Sequence, residues 1–162
     1  MFQIIRKTFF LYVLLIFATV LQAIMMKHFR SFPDLILLLV VFAAIFRNMS
    51  EGILFALVAG ILRGSLSAGT LQVDIILFPV VALFSSILSR MFFRHNIFVQ
   101  VLVTFSSLLL VLVVHMLYLN AAYQGDAYIP MVIRNNLTPI IVTAVFAPVF
   151  FAFLSLLGQK EI

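Results

Sequence analysis

Apolar residues run along this chain in long unbroken blocks, and the polar residues collect in short patches between them. No charge interrupts TFFLYVLLIFATVLQAIMM at residues 8–26, which Arg6 and Lys7 precede and Lys27, His28 and Arg30 follow. A helix that crosses a bilayer needs about 20 predominantly apolar residues, so this block predicts a membrane span. It does not read as a cleavable signal, because QAIMMKHF offers no small-residue exit. Two later blocks, residues 96–122 and 135–159, are each long enough to cross even when tilted.

Three shorter runs lie between them, at residues 35–46, 52–62 and 75–89. Length alone leaves the first two open between a buried core helix, a re-entrant segment and a span. Their flanks favour spans. Pro33 suits a first helical turn, Asp34 complements a positive helix N-terminus, and Arg47 can snorkel from the far end. Ser50 and Glu51 read as a cap and first-turn acid for the next helix. The patch RGSLSAGTLQVD is a turn between the third and fourth spans, and Pro79 and Pro148 predict kinks within the fourth and sixth. The expectation is one all-α membrane domain over residues 1–162, with six spans near residues 8–26, 33–47, 51–66, 73–89, 96–120 and 136–157.

Composition agrees: 65% of residues are hydrophobic and 9% charged, against about 25% charged in an ordinary soluble domain. The ten Lys and Arg against five acids therefore bear on membrane orientation and anionic lipid rather than on nucleic acid. With six helices, Arg6, Lys7, Arg47, Arg90, Arg94 and Lys160 share the face of the termini, and Lys27, Arg30, Arg63 and Arg134 lie on the other. That bias predicts both termini in the cytoplasm. Cysteine is absent, which excludes disulfides and thiolate chemistry. His28, His95 and His115 stand far apart and make no metal-ligand pattern. Ser65, Ser67, Ser85, Ser86 and Ser89 have no acid and histidine at suggestive positions, so no catalytic residue, cofactor or metal site is expected.

A few polar residues need an account. Asp34 reads as an interfacial helix-capping acid, with contact to a partner or ligand as the alternative. Arg63 and Asp74 bracket the Gly/Ser turn and are expected either to meet across a hairpin or to stand solvated. His115, deep in the fifth span, reads as a neutral side chain hydrogen-bonded to a neighbouring helix. SRMFFRHN at residues 89–96, with Arg90 and Arg94, reads as a lipid-headgroup anchor. Gly52, Ala56, Ala59 and Gly60 share one helical face, suited to packing within the bundle or against a partner.

FPDLILLLVVFAAIFR, GILRGSLSAGTLQ and SRMFFRHNIFVQVL, together covering roughly residues 32–102, resemble the MreD family of rod shape-determining proteins. That family typically opens its second span with Pro-Asp-Leu, here Pro33, Asp34 and Leu35, and follows the third with a Gly-x-x-x-Asp-x-x-Ser type turn and a Leu-Gly pair. Gly60 and Ser67 match; Gly64 stands where the acid would be, and Gln72 follows Leu71 in place of glycine. Arg90 and Arg94 fit the basic loop, and Asn135, Asn136 and Pro148 agree more loosely.

The resemblance implies a multi-pass protein of the bacterial inner membrane that works in lateral wall synthesis. Its implied partners are an MreC-like bitopic protein and, indirectly, MreB, RodA and a class B penicillin-binding protein. It also implies a fold similar to the S components of energy-coupling-factor vitamin transporters. Such a substrate-binding S component is the alternative function, and it would need a pocket at the outer face. Only Asp34, Arg63, Gln72, Asp74 and Asn120 offer polar groups there, so a non-enzymatic scaffold is the expectation.

Overall fold

The computed structural model describes residues 2–28, 32–66, 71–92, 96–123 and 128–159. Six helices follow in order: α1 (Phe2–His28), α2 (Leu35–Phe46), α3 (Met49–Leu66), α4 (Leu71–Met91), α5 (Ile97–Tyr123) and α6 (Tyr128–Gln159). Ser67 and Arg94 lie outside the described residues. Four stretches are long and apolar enough to cross a membrane by themselves: Met49–Leu66, Gln72–Met91, Ile97–Ala121 and Leu137–Leu156. The apolar stretches Phe9–Met25 and Leu35–Phe46 are shorter.

The 12-residue α2 is the centre of the protein. At 1.5 Å per residue it spans about 18 Å, against about 30 Å for a hydrocarbon core. Every residue of LILLLVVFAAIF is apolar, the composition of a helix that is covered on all sides. Ile36 to Val41 are completely buried. Helices α1, α3, α4, α5 and α6 all pack on it, α3 and α4 most extensively.

Both ends of α2 differ from the expected helix over residues 33–47. Pro33 lies before the helix, and Asp34 is the N-cap itself, its side chain accepting from the Leu37 N–H. At the other end Arg47 is extended, with φ −108° and ψ 175°, and its N–H closes the last turn on the Ala43 carbonyl at 2.9 Å. The Arg47 guanidinium pairs with Glu51 at 3.4 Å. That contact ties α2 to α3 where a snorkelling arginine was expected. Helix α3 starts two residues earlier than Ser50 suggested, because the Asn48 carbonyl accepts from Gly52 N–H at 2.9 Å. Helix α6 begins at Tyr128, which puts Asn135 and Asn136 inside it rather than ahead of it.

Lipid tails are as apolar as leucine, so helices in a bilayer associate through close packing and polar contacts. Here the small-residue face of α3 is internal: Ala56 and Ala59 are fully buried, and Gly52 and Gly60 are buried with them. A Cβ on Gly60 would stand 2.5 Å from the Asp74 carbonyl oxygen and 3.2 Å from Ile75 Cα. At Gly52 it would meet Ala44 Cα at 3.3 Å. Glycine at position 60 thus lets α3 and α4 touch backbone to backbone. At the far end of α2, Phe42 and Phe46 pack on Phe151 of α6, with centroids 5.7 and 6.4 Å away.

Gly60→Ala is expected to cost about 1–3 kcal/mol, the usual range for overpacking, because the obstructing atoms are backbone. Gly52→Ala should cost less, since the neighbour need give only a few tenths of an ångström. Thermal unfolding of the two purified variants in detergent checks the order; equal midpoints would contradict it.

Candidate functional site: a polar knot at one end of the bundle

Each of the six helices sends one polar side chain to the same end of the bundle: Gln22 from α1, Asp34 from the cap of α2, Arg63 from α3, Asp74 from α4, His115 from α5 and Thr143 from α6. The arrangement starts from a backbone problem. A helix begins with N–H groups that have no partner within it, and α2 begins where Asp34 is only 8% exposed. Left bare in an apolar interior, such groups cost several kcal/mol each.

Neighbouring helices supply the acceptors. Asp34 Oδ1 accepts from Leu37 N–H at 3.1 Å, Gln22 Oε1 accepts from Ile36 N–H at 3.2 Å, and Thr143 Oγ1 accepts from Asp34 N–H at 3.0 Å. The Thr143 hydroxyl donates in turn to the Pro139 carbonyl at 2.6 Å. Gln22 uses both ends of its amide, since its Nε2 also donates to Asp34 Oδ1 at 3.2 Å. The Asp34 carboxylate is completed by Arg63, which donates to Oδ2. Arg63 lies over the Phe78 ring, 5.6 Å from its centroid, a cation–π contact that lets the guanidinium sit among apolar side chains.

Asp74 and His115 form the second half. His115 Nε2 is 3.0 Å from Asp74 Oδ1, and its Nδ1 is 3.0 Å from the Val111 carbonyl oxygen. The Asp74 side chain is 1% exposed and that of His115 18%. The two halves adjoin through α3 and α4. Gly60, one turn before Arg63, touches the Asp74 backbone, and Phe78 lies one turn beyond Asp74.

Several sequence expectations are corrected here. Arg63 does not meet Asp74 across the hairpin; it pairs with Asp34, and Asp74 faces His115. Asp34 caps α2, yet it does so inside the protein and as half of an ion pair. Pro33 is half-buried beside the knot, Leu35 is buried within the core, and Arg90 is exposed at the other end of α4. Sequence reasoning passed over Gln22, Phe78 and Thr143. For Gln22 the signal was there: a lone amide inside an apolar span has to find a polar partner.

Chemically the Asp34 half of the knot is closed. The Asp34 carboxylate takes three donors and Gln22 is used at both ends, so these groups lock helices rather than face a bound molecule. Among the described residues no three His, Asp or Glu side chains gather to hold a metal. An apolar groove of about 410 Å³ runs along Ile141, Val142, Val145, Phe146 and Val149 of α6. A second polar seam joins α4 to α5, where Ser85 and Ser107, both fully buried, share a hydrogen bond of 2.9 Å. Ser89 and Thr104 turn their hydroxyls onto carbonyls of their own helices.

Helices this apolar, locked from within by polar side chains, define an all-α membrane protein. The model of the rod shape-determining protein MreD family matches residues 3–157, nearly the whole chain. The chain belongs to the MreD family, and its role is in rod shape determination. No curated protein and no solved structure matches it.

Asp34→Asn keeps a capping side chain and strands the Arg63 guanidinium. The expected loss is about 2–3 kcal/mol, between the exposed and the fully buried limits for an ion pair. In the double variant Asp34→Asn/Arg63→Gln no charge is left without a partner, so it should lose less than the sum of the single variants. A double-mutant cycle of thermal unfolding measures this, and strict additivity would show that the pair is not coupled.

Proposed function

We propose that this chain is a non-enzymatic scaffold of the bacterial elongation machinery, crossing the inner membrane six times with both termini in the cytoplasm. In this reading it holds an MreC-like bitopic partner through its apolar exterior and the outer helix ends. It thereby helps to organise lateral wall synthesis with MreB, RodA and a class B penicillin-binding protein. Family membership over residues 3–157 supports the setting. The observation that carries the scaffold role is the polar knot: its charged and amide groups, Gln22, Asp34 and Arg63, are spent on holding helices together. A substrate-binding protein would instead leave such groups converging on a pocket.

What remains for contact is apolar surface and helix ends. Phe9, Ile16 and Phe17 of α1 and Val145, Val149 and Phe153 of α6 are all more than half exposed. In lipid such faces gain nothing from hydrophobic transfer alone, so a bound helix must fit them closely. The two short apolar helices cross as part of the bundle: α2 is sheathed by the others, and Arg63 and Asp74 come to the same end as its cap. Six crossings place the Lys and Arg majority on the side of the termini.

Depletion of the protein should turn rods into rounded cells and reduce lateral wall synthesis, and an MreC-like bitopic protein should co-purify with it in mild detergent. Unchanged shape after depletion would overturn the scaffold role. Reporter fusions at Gln124 and Gln159 test the topology. Activity of a periplasmic reporter is expected at Gln124 and not at Gln159, and the reverse result would invert the orientation.

A further inference from the structure

The charged corner at the other end of α2 has bonding capacity left over. Arg47 Nη1 stands 3.4 Å from Glu51 Oε2, longer than the roughly 2.7–2.9 Å of a tight charge-assisted hydrogen bond. Among the described residues it is the one polar contact that either side chain makes. A guanidinium has several N–H donors and a carboxylate several lone pairs, so most of both remain to be met. Neither side chain is closed off, with exposures of 22% and 37%.

The corner also lies short of where its neighbour ends. Helix α1 passes it at Leu11 and Tyr12 and runs on to Phe2, about 15 Å further at 1.5 Å per residue. Its flanks are apolar and face outward: Phe9, three residues before Tyr12, is 69% exposed, and Leu54, three residues after Glu51, is 62% exposed. A charged pair set this way among lipid-facing side chains draws polar groups to itself by local thinning of the bilayer. The polar groups that a bilayer brings are lipid headgroups.

Between α1, α2 and α3 the corner opens into a crevice of about 20 Å³, lined by Leu11, Tyr12, Ala43, Arg47, Glu51 and Phe55. That is room for a group the size of one water, which keeps a phosphate or a trimethylammonium out of it. A primary ammonium fits. There it meets the Glu51 carboxylate as a hydrogen-bond acceptor, and the rings of Tyr12 and Phe55, with centroids 5.3 Å apart, as faces for a cation. A phosphate on the same molecule stays outside, where the Arg47 guanidinium can take it.

We propose that the α1–α2–α3 crevice binds a phosphatidylethanolamine headgroup, with the primary ammonium seated on Glu51 and the phosphate on Arg47. The two charges of the headgroup match the two of the corner in sign. Phosphatidylglycerol offers a phosphate for Arg47 and leaves Glu51 unmatched. Phosphatidylcholine keeps both charges, but its trimethylammonium has no N–H to donate and exceeds the crevice.

Native mass spectrometry of the full-length protein, released from mild detergent, counts the lipids it retains as phosphatidylethanolamine, phosphatidylcholine or phosphatidylglycerol of the same acyl chains is titrated in. Phosphatidylethanolamine should be retained over phosphatidylcholine by about tenfold or more, the worth of a hydrogen bond to a charged group, and phosphatidylglycerol should also bind more weakly. Glu51→Gln should bring phosphatidylethanolamine down to the level of phosphatidylcholine, and Arg47→Gln should weaken both. The wild-type comparison decides even where a variant fails to fold: equal retention of phosphatidylethanolamine and phosphatidylcholine overturns the proposal, as does preference for phosphatidylglycerol or retention of none of the three. An undiminished preference for phosphatidylethanolamine in folded Glu51→Gln overturns it as well.

Discussion

The N-terminus of α2 begins inside the protein, and the rest of the bundle is arranged around that constraint. A short helix wrapped on all sides cannot take its first N–H groups to water, so other helices must bring acceptors to it. Gln22 and Thr143 do so from α1 and α6, at opposite ends of the chain. Asp34 adds its own carboxylate, and the charge this introduces requires Arg63. One unsatisfied helix end thus fixes where four helices stand relative to one another.

The remaining two helices join through contact rather than through the cap. Glycine at position 60 lets α3 lie directly on the α4 backbone at Asp74, which sets Asp74 at the level of Arg63 and presents it to His115 of α5. Packing and polarity act together here. Close approach is what a bilayer allows helices to gain from, and polar side chains select which close approach is made. The serine seam further along α4 and α5 repeats the principle with neutral groups, where a hydroxyl can satisfy itself on its own helix and on its neighbour at once.

Such a frame suits the scaffold role proposed for this protein of rod shape determination. The polar groups around Asp34 are spent internally, and among the described residues many large apolar side chains face outward. A frame of this kind transmits position well: displacing α2 would break contacts to α1, α3 and α6 together. The Asp74–His115 contact adds a link between α4 and α5 at the same end.

The sequence by itself determined the class of the protein and the number of its helices, because uninterrupted apolar blocks of this length have few other uses and the breaks between them carry Gly, Ser and charge. Asp34 was legible as a helix cap, and the motif around it was enough to point to the MreD family. Only the tertiary structure decided what α2 is. LILLLVVFAAIF is apolar on every face, and lipid and protein interior are equally apolar, so no periodicity separates a helix bathed in one from a helix buried in the other. Partner choice was hidden for a related reason. Arg63 and Asp74 are neighbours along the chain, yet whether Arg63 turns to Asp74 or to Asp34 depends on how three helices rotate about their axes. That rotation is set by Gly60 against the Asp74 backbone and by Gln22 and Thr143 at the cap, contacts between residues that local spacing does not relate.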